Sequence, residues 1–463
     1  MNMRIHTFDC DALSSPAQVR AAVGIIHEEA SKGPLTVVVP PLDGVPEMLT
    51  STAESAKSGD TEFEPALRKM EALHFDVIYE TVDVRRQSQV ISGVRHQVNQ
   101  LEDLLVGIAA IGELSARTTD LIASWGSLLA AYVFSEGLRE LDPAVHLLDT
   151  RELIATDSSF TRARVFLEES RNRIRQRFSG SPRTIVATGG LGTTPAGEVT
   201  TLGLSGSCLT ASVIAAALPA EDLTVWTQTD GILSADPEKV AAARPIVRMT
   251  YAEAMEMMHF GGNFLYPPAL IPAIKHHIPI IVRNILNPAF SGSVLSEACG
   301  EQRHFTGISS MDDIALLRIQ GNGMVGVTGV SMRLFGALAK AGVNVILISQ
   351  ASSEHSICAG IMSADATRAK SAVEENFAAE LAQGLIDDVT VDENLSILAV
   401  VGERMRRIMG MAAKIFSTLA QESVNIKAIA QGSSEQNISI VVDASDQSRA
   451  LRALHRSLIE DGV

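Results

Sequence analysis

The residues best equipped for chemistry are few and scattered. A short apolar start, Met3-Arg4-Ile5, runs into His6, Thr7, Phe8, Asp9, Cys10, Asp11 and Ala12. A turn after a first strand can hold an anion only through free backbone N–H groups and close approach, which glycine allows. Here two carboxylates occupy the turn, so a polyphosphate would meet negative charge. Cys10, Cys208, Cys299 and Cys358 show neither metal-ligand spacing nor a disulfide framework. Cys208 with His6, Tyr266 or His259 as base is the one nucleophile arrangement that can be built, and a lone cysteine is more commonly an inert core thiol. Met255, Met257 and Met258 read as helix core, Lys275-His276-His277 as a helix terminus, and the acidic runs after residue 373 as solvated faces; no metal site is expected. Four amides stand out instead. Asn344 and Gln350 recur as Asn425 and Gln431. A side-chain amide donates and accepts at once, which suits a zwitterion, although such amides can also simply cap strand ends.

The elements that must position these groups follow from apolar periodicity. LTVVV (35–39), RTIVAT (183–188), LTVWT (223–227) and IPIIVRN (278–284) read as buried strands, and Leu101–Leu114, Thr118–Glu136 and Cys208–Leu218 as helices. Strand–helix alternation over the first 300 residues predicts an α/β sandwich with a largely parallel sheet. GGLGTTPAGEVTTLG (189–203) reads as a hairpin and loop. After a polar break at 296–305 comes an internal repeat: VNVILISQASSEHSI from Val343 and VNIKAIAQGSSEQNISI from Val424, offset by 81 residues. Each copy follows an amphipathic helix and precedes a further strand and helix, a ferredoxin-like βαββαβ unit used twice.

The chain has 463 residues, 46% of them hydrophobic and 4% aromatic, enough for two or three aliphatic cores. A net charge of −16 argues against nucleic acid and anionic membrane as partners. The N-terminal sequence does not read as a signal peptide, and no apolar stretch reads as long enough to span a membrane, so a cytoplasmic protein is expected.

The twin ISQASSEHS and IAQGSSEQNIS motifs, MTYAEAMEMMHFGGNFLYPPAL (249–270), IPIIVRNILNPAFSGSVLS (278–296) and WTQTDGILSADPEKV (226–240) together resemble the aspartate kinase family, above all the kinase half of fused aspartate kinase–homoserine dehydrogenases. The resemblance implies an amino-acid-kinase-like α/β/α sandwich over residues 1–300 and a tandem ACT regulatory region over 301–463, its copies near 313–390 and 394–463 and able to intertwine. It implies ATP and Mg²⁺ as cofactors and aspartate as substrate if the chain is an active kinase.

Read position by position, the resemblance also marks what has changed. Where the family has lysine–phenylalanine–glycine–glycine, this chain has Thr7, Phe8, Asp9 and Cys10. Pro40 or Pro41 replaces a serine, and Ser127, after Gly126, replaces the glutamate that holds the substrate's amino group. Leu204 replaces the arginine that clamps its carboxylate, and Cys208 an aspartate. In the nucleotide-contacting loop Gln228 replaces an aspartate and Glu238 an arginine, while Asp230, Gly231, Asp236 and Pro237 remain. Asn263 replaces a lysine. Phosphoryl transfer depends on charge neutralisation and positioning, so these changes predict a chain without kinase activity and with no cofactor. Asn344, Gln350, Asn425 and Gln431 match the family's effector positions. The expected ligand is therefore a small amino acid, threonine first and lysine second. The sheet edges VNVILIS and ISIVV read as too apolar to stay free, so at least a dimer is expected, with an enzyme of the same pathway as a further partner.

Overall fold

A computed structural model describes residues 3–59, 63–180, 183–261, 266–298, 300, 304–324, 327–350, 355–405, 409–432 and 435–460. The chain forms two compact units. One comprises Met1–Ile232, Pro245–Tyr251 and Phe264–Cys299; the other comprises Leu233–Arg244, Ala252–Asn263 and Gly300–Val463.

The first unit contains β1 (Arg4–Phe8), α1 (Pro16–Lys32), β2 (Leu35–Val39), α2 (Val45–Lys57), α3 (Glu64–Thr81), α4 (Val84–Ile111), α5 (Ala116–Arg139), β3 (His146–Leu148), α6 (Leu167–Phe178), β4 (Thr184–Thr188), β5 (Leu191–Thr193), β6 (Val199–Thr201), α7 (Gly206–Ala217), β7 (Leu223–Thr227), β8 (Arg248–Thr250), α9 (Pro267–Lys275), β9 (Ile280–Asn284) and β10 (Ser293–Ser296), with Tyr251 opening α8 (Tyr251–His259). Eight strands form one sheet in the order β3-β4-β2-β1-β7-β9-β10-β8. Its pairs are parallel except β9 with β10. β2, β4 and β7 are buried at every position. That is the pattern of parallel strands with both faces covered, and it explains why their sequences are continuous apolar runs instead of alternating ones. β5 and β6 make the expected hairpin. Helix starts follow local chemistry: Ser15 accepts from the Gln18 N–H ahead of Pro16, and Ser115 from Thr118.

The expectation about membrane-length segments needs correction. Among the described residues one helix, α5, is long and apolar enough to cross a membrane, but 72% of its apolar window is buried inside the fold. Leu129, Val133, Phe134 and Leu138 pack into the main core with Phe8, Leu49 and Ile78. Interior helices are apolar all round for the same physical reason as membrane spans.

The second unit is built on β11 (Gly307–Gln320), α10 (Val330–Lys340), β12 (Leu347–Gln350), β13 (Ser356–Met362), α11 (Ala366–Asn376), α12 (Ala378–Ala382), β14 (Asp388–Val401), α13 (Met411–Gln421), β15 (Ile426–Ala430), β16 (Asn437–Asp443) and α14 (Gln447–His455). Its sheet runs β12-β13-β11-β14-β16-β15. The long strands serve both repeats. Ile314–Gln320 of β11 pairs with β13 and with the first half of β14. Gly307–Met311 pairs with Ile397–Val401, the half of β14 that also pairs with β16. Each βαββ unit thus takes a strand segment from the other's neighbourhood. The change of register falls at Asp313 (φ 56°) and Asn394 (φ 58°), residue types that tolerate the left-handed region.

Alternation along β11 sends Ala315, Leu317 and Ile319 to a core shared with α10 and α11, and Ile314 and Leu316 to a second core on the opposite face with Leu347, Leu395, Ile397 and Val441. A third core joins β14 and β16 to α13 and α14. Two segments from before residue 300 belong here. Ala235 and Val240 enter the third core and Phe260 the second. Ser234 Oγ lies 2.9 Å from His455 Nε2, and Lys239 Nζ 2.8 Å from Asp312. The ISIVV run is not an edge, as expected from sequence, but the inside of β16, paired on both sides. The true edges, β12 and β15, approach each other, and Ser349 Oγ donates to the Ile429 carbonyl at 3.1 Å.

Candidate functional site

The turn after β1 is the first place to look for phosphate chemistry. Thr7 is fully buried, and its Oγ1 donates to the Val38 carbonyl at 3.0 Å across the β1–β2 pair. It closes the sheet where the family carries a cation. Asp9 then caps a short 3₁₀ turn, Cys10–Leu13, by accepting the Cys10 N–H at 2.9 Å. One turn donor is therefore already occupied. Burial, and then the Asp11 carboxylate, push the Asp9 carboxyl up to about 6. Burial and Asp43 also raise Asp11. Partial desolvation, then Asp9, Asp43, Asp11 and Glu47, push the Cys10 thiol up to about 12. In all three, burial is the largest cause and neighbouring carboxylates add to it.

The neighbouring positions are equally self-satisfied. Ser127 is buried and its Oγ donates to the Gly189 carbonyl at 2.6 Å. Pro40 is buried, and Pro41 packs on Gly126 so closely that an added Cβ there would lie 3.2 Å from its ring. Leu204 is 75% exposed and can clamp nothing. Cys208, in the first turn of α7, is buried; burial and then Asp9 raise its thiol. Of the three candidate bases for Cys208, His6 is engaged elsewhere: its Nδ1 accepts from Trp226 Nε1 at 3.2 Å, and burial holds its pKa down at about 3.

The nucleotide-loop residues do not come together within one unit. Gln228 donates back to the Asp11 carbonyl. Asp230 accepts from Asn284 Nδ2 at 2.8 Å and from Asn287 Nδ2 at 3.1 Å. Gly231 (φ 81°) sits where a Cβ would collide with Ser293, whose Oγ accepts the Ile232 N–H at 2.8 Å. These two retained residues shape a loop end. Asp236, Pro237 and Glu238 lie in the second unit, where Asp236 accepts the Glu238 N–H at 2.9 Å. Asn263 lies outside the described residues.

In the second unit Gln350 ends β12 beside a cavity of about 360 Å³. Met324 and Ile357, 3% and 2% exposed, form its floor. Val330 forms a wall and Thr328, Ser331 and Met332 a rim. Gln350 stands opposite Ile357 in the antiparallel ladder, so the two side chains share the face that carries the cavity. Asn344 is exposed and precedes β12. It lies three positions before the start of β12, the strand that Gln350 ends. Asn425 and Gln431 are exposed and flank β15. The Ala351–Glu354 part of the first motif lies outside the described residues, as do Ser433 and Ser434 of the second.

Sequence reading missed the cavity floor, although a signal was present. Met324, Gly329 and Ile357 recur at the same offset as Met405, Gly410 and Ile438. Both glycines cap their helices with positive φ, 93° and 85°.

Comparison with known proteins places these features. The profile of the amino acid kinase family matches residues 66–284, and that of the ACT domain matches 317–377 and 398–458. The bifunctional aspartokinase/homoserine dehydrogenase of Daucus carota is 34% identical over 461 residues, 97% of this chain and 50% of that protein. The chain spans about half the length of the curated relatives it matches first. Among solved structures, E. coli aspartokinase III with aspartate and ADP (R-state) superposes with a TM-score of 0.82 at 24% identity, covering 98% of this chain and 99% of that one. The same protein with lysine and aspartate (T-state) gives 0.79 at 25% identity, with 99% of each chain covered. An amino-acid-kinase fold followed by two ACT domains, with a bifunctional aspartokinase similar along nearly the whole chain, makes this protein a member of the aspartate kinase family.

Proposed function

We propose that this chain is an aspartate-kinase homologue of the aspartate-family amino acid pathway that does not transfer phosphate and instead senses an amino acid, acting as a regulatory or scaffolding protein. The observation that carries this reading is the turn after β1. Asp9 and Asp11 occupy it, burial and then Asp11 raise the first, burial and then Asp43 raise the second, and Thr7 is committed to Val38. ATP and Mg²⁺ are what the family implies, and these residues do not fit the nucleotide. Polyphosphate would meet like charge with no lysine to offset it. Loss of one charge-stabilising group lowers a rate on the order of a hundred- to a thousand-fold, and here Thr7, Ser127, Leu204, Cys208, Gln228 and Asn263 all depart from the family pattern.

The proposed effector positions are Asn344, Gln350, Asn425 and Gln431, and the effector is threonine first and lysine second. Lysine is present in one E. coli aspartokinase III structure. Exposed Ile348 and Ile429, 49% and 42% accessible on β12 and β15, support assembly into at least a dimer through the ACT modules, with an enzyme of the same pathway as a further partner. Light scattering that finds a monomer at micromolar concentration contradicts the assembly. A thermal-shift panel of ATP–Mg²⁺, aspartate, threonine, lysine and methionine tests the whole reading: an amino acid raises Tm and ATP–Mg²⁺ does not. A shift with ATP–Mg²⁺ and none with any amino acid overturns it.

A second reading has its own support. Similarity to a bifunctional aspartokinase runs along 97% of the chain, which favours an active aspartate kinase making 4-phospho-L-aspartate from ATP and L-aspartate.

A further inference from the structure

A serine, a histidine and a carboxylate stand in hydrogen-bonded order inside the second unit. Ser234 Oγ lies 2.9 Å from His455 Nε2, and His455 Nδ1 lies 2.8 Å from Glu460 Oε1. The order is that of a hydrolytic triad. Ser234 and His455 are only 1% and 0% exposed, however, so no substrate carbonyl reaches the hydroxyl. Ser234 Oγ also accepts the Arg244 N–H at 3.0 Å. An ionised carboxylate can only accept, so His455 Nδ1 donates to Glu460, and in the neutral ring Nε2 accepts from the Ser234 hydroxyl. The bonds then run in one direction, from Arg244 through Ser234 and His455 to Glu460.

Local winding makes this chain of bonds possible. His455 ends α14, and Arg456–Glu460 continues it as a π turn. Residues five apart on an α-helix point roughly 140° away from each other; the wider i→i+5 turn brings Glu460 back beneath His455. The same turn presents the Ile459 carbonyl, which accepts from Arg244 Nη2 at 2.8 Å. Ser234 and Arg244 are the two ends of one loop, closed by the Ser234 N–H donating to the Arg244 carbonyl at 2.9 Å. That loop carries Asp236, Pro237 and Glu238. Its middle is fastened separately, Lys239 to Asp312 at 2.8 Å, beside Asp313, where β11 changes partner.

We propose that the π turn Arg456–Glu460 is a strap that holds the base of the 234–244 loop shut, and that releasing it frees the segment carrying Asp236, Pro237 and Glu238. Glu460 is a positioning residue. It acts on Ser234 through the His455 ring, whose tautomer and orientation it fixes, while Ile459 holds Arg244. The device does not depend on whether the chain transfers phosphate or binds an amino acid. Amide hydrogen exchange of the full chain, read by mass spectrometry, tests it. The Glu460 side chain is 39% exposed, so Glu460→Ala leaves core packing in place. That variant is expected to speed exchange within 234–244 at least ten-fold and to leave peptides of β14 and β16 unchanged. Glu460→Gln keeps an acceptor for Nδ1 and is expected to exchange as wild type does. Ser234→Ala cuts the other end and is expected to match Glu460→Ala, with the double variant no faster than either alone. A loop that stays protected in Glu460→Ala, a Glu460→Gln variant as fast as Glu460→Ala, or an equal rise in β16 overturns the proposal.

Discussion

Two strand ends in this protein carry the residues that matter, and they have been treated in opposite ways. At the end of β1, Thr7 is bonded to Val38, Asp9 to Cys10, and Gln228 back to Asp11. Nearby, Ser127 is bonded to Gly189, and Asp230 to Asn284 and Asn287. At the end of β12, Gln350 is exposed beside an open cavity whose floor is well packed. A binding site needs polar groups held in place yet unsatisfied until the ligand arrives. The first region holds them in place and satisfies them internally; the second leaves room. The fold around both is maintained by similar means, buried strands and capped helices, so the difference lies in the last few side chains.

The largest effect expected from breaking this comparison is on stability in the first unit. Asp120 is buried, and its carboxylate accepts from the N–H of Thr161 and of Thr201, both at 2.9 Å, and from the Thr201 hydroxyl. Asp120→Ala orphans three donors and is expected to cost about 3 kcal/mol or more, read from urea denaturation. Amino-acid binding to the folded variant is expected to stay unchanged. Loss of both together in a fully folded variant would show that the two regions are not independent.

Gln350→Ala tests the second region directly. Removing the amide is expected to weaken the effector by about 1–3 kcal/mol, roughly a five- to hundred-fold rise in Kd by calorimetry. Gln431→Ala measures whether the second copy is a site or a structural echo. Equal losses in both variants sharpen the reading to two sites, and no loss in either removes the amides from it.

A smaller effect concerns charge at the β1 turn. The folded-state pKa of Asp9 is raised, to about 6 from an ordinary 3.8. The folded protein therefore takes up this proton first as pH falls. Asp9 favours folding most below about pH 4, and that contribution is lost as pH rises through about 6. Asp9→Asn keeps the acceptor for Cys10 and removes the charge. It is expected to raise Tm by a few degrees at pH 7 and to be neutral below pH 4. A fall in Tm at pH 7 would mean that the carboxylate meets a cation there, contrary to the proposed function. Glu29 supplies the control. Burial opposes its ionisation, but hydrogen bonds from Lys32 and Arg4 prevail and hold it near 2, so its contribution is present above about pH 4.5 and fades only as pH falls through about 2.

How much of this was legible in sequence follows from the range of each interaction. β2, β4, β7 and β9 could be read because buried parallel strands are contiguous apolar runs. The repeat could be read because Asn344, Gln350, Asn425 and Gln431 keep one register. That the two ACT units can interleave was implied by the resemblance, but the place where β11 and β14 change partner, at Asp313 and Asn394 with positive φ, could not be read. The edge assignment of ISIVV failed because an apolar run does not say how many neighbours it has, and β16 has two. The expectation that no apolar stretch is long enough to span a membrane missed α5, because burial in a protein core and burial in lipid select the same residues. In the candidate site, the missing charges were legible one by one. What replaced them, a set of internal hydrogen bonds between β1, β2, α5 and the loop after β7, depends on distances that only the fold supplies.

The central claim, that the β1 turn no longer supports phosphoryl transfer, is tested most directly by hydroxamate trapping of aspartyl phosphate with ATP, Mg²⁺ and aspartate, using an active aspartokinase as the positive control. The account expects no product above the no-enzyme background. Turnover at an ordinary kinase rate of about 1 s⁻¹ or more contradicts it.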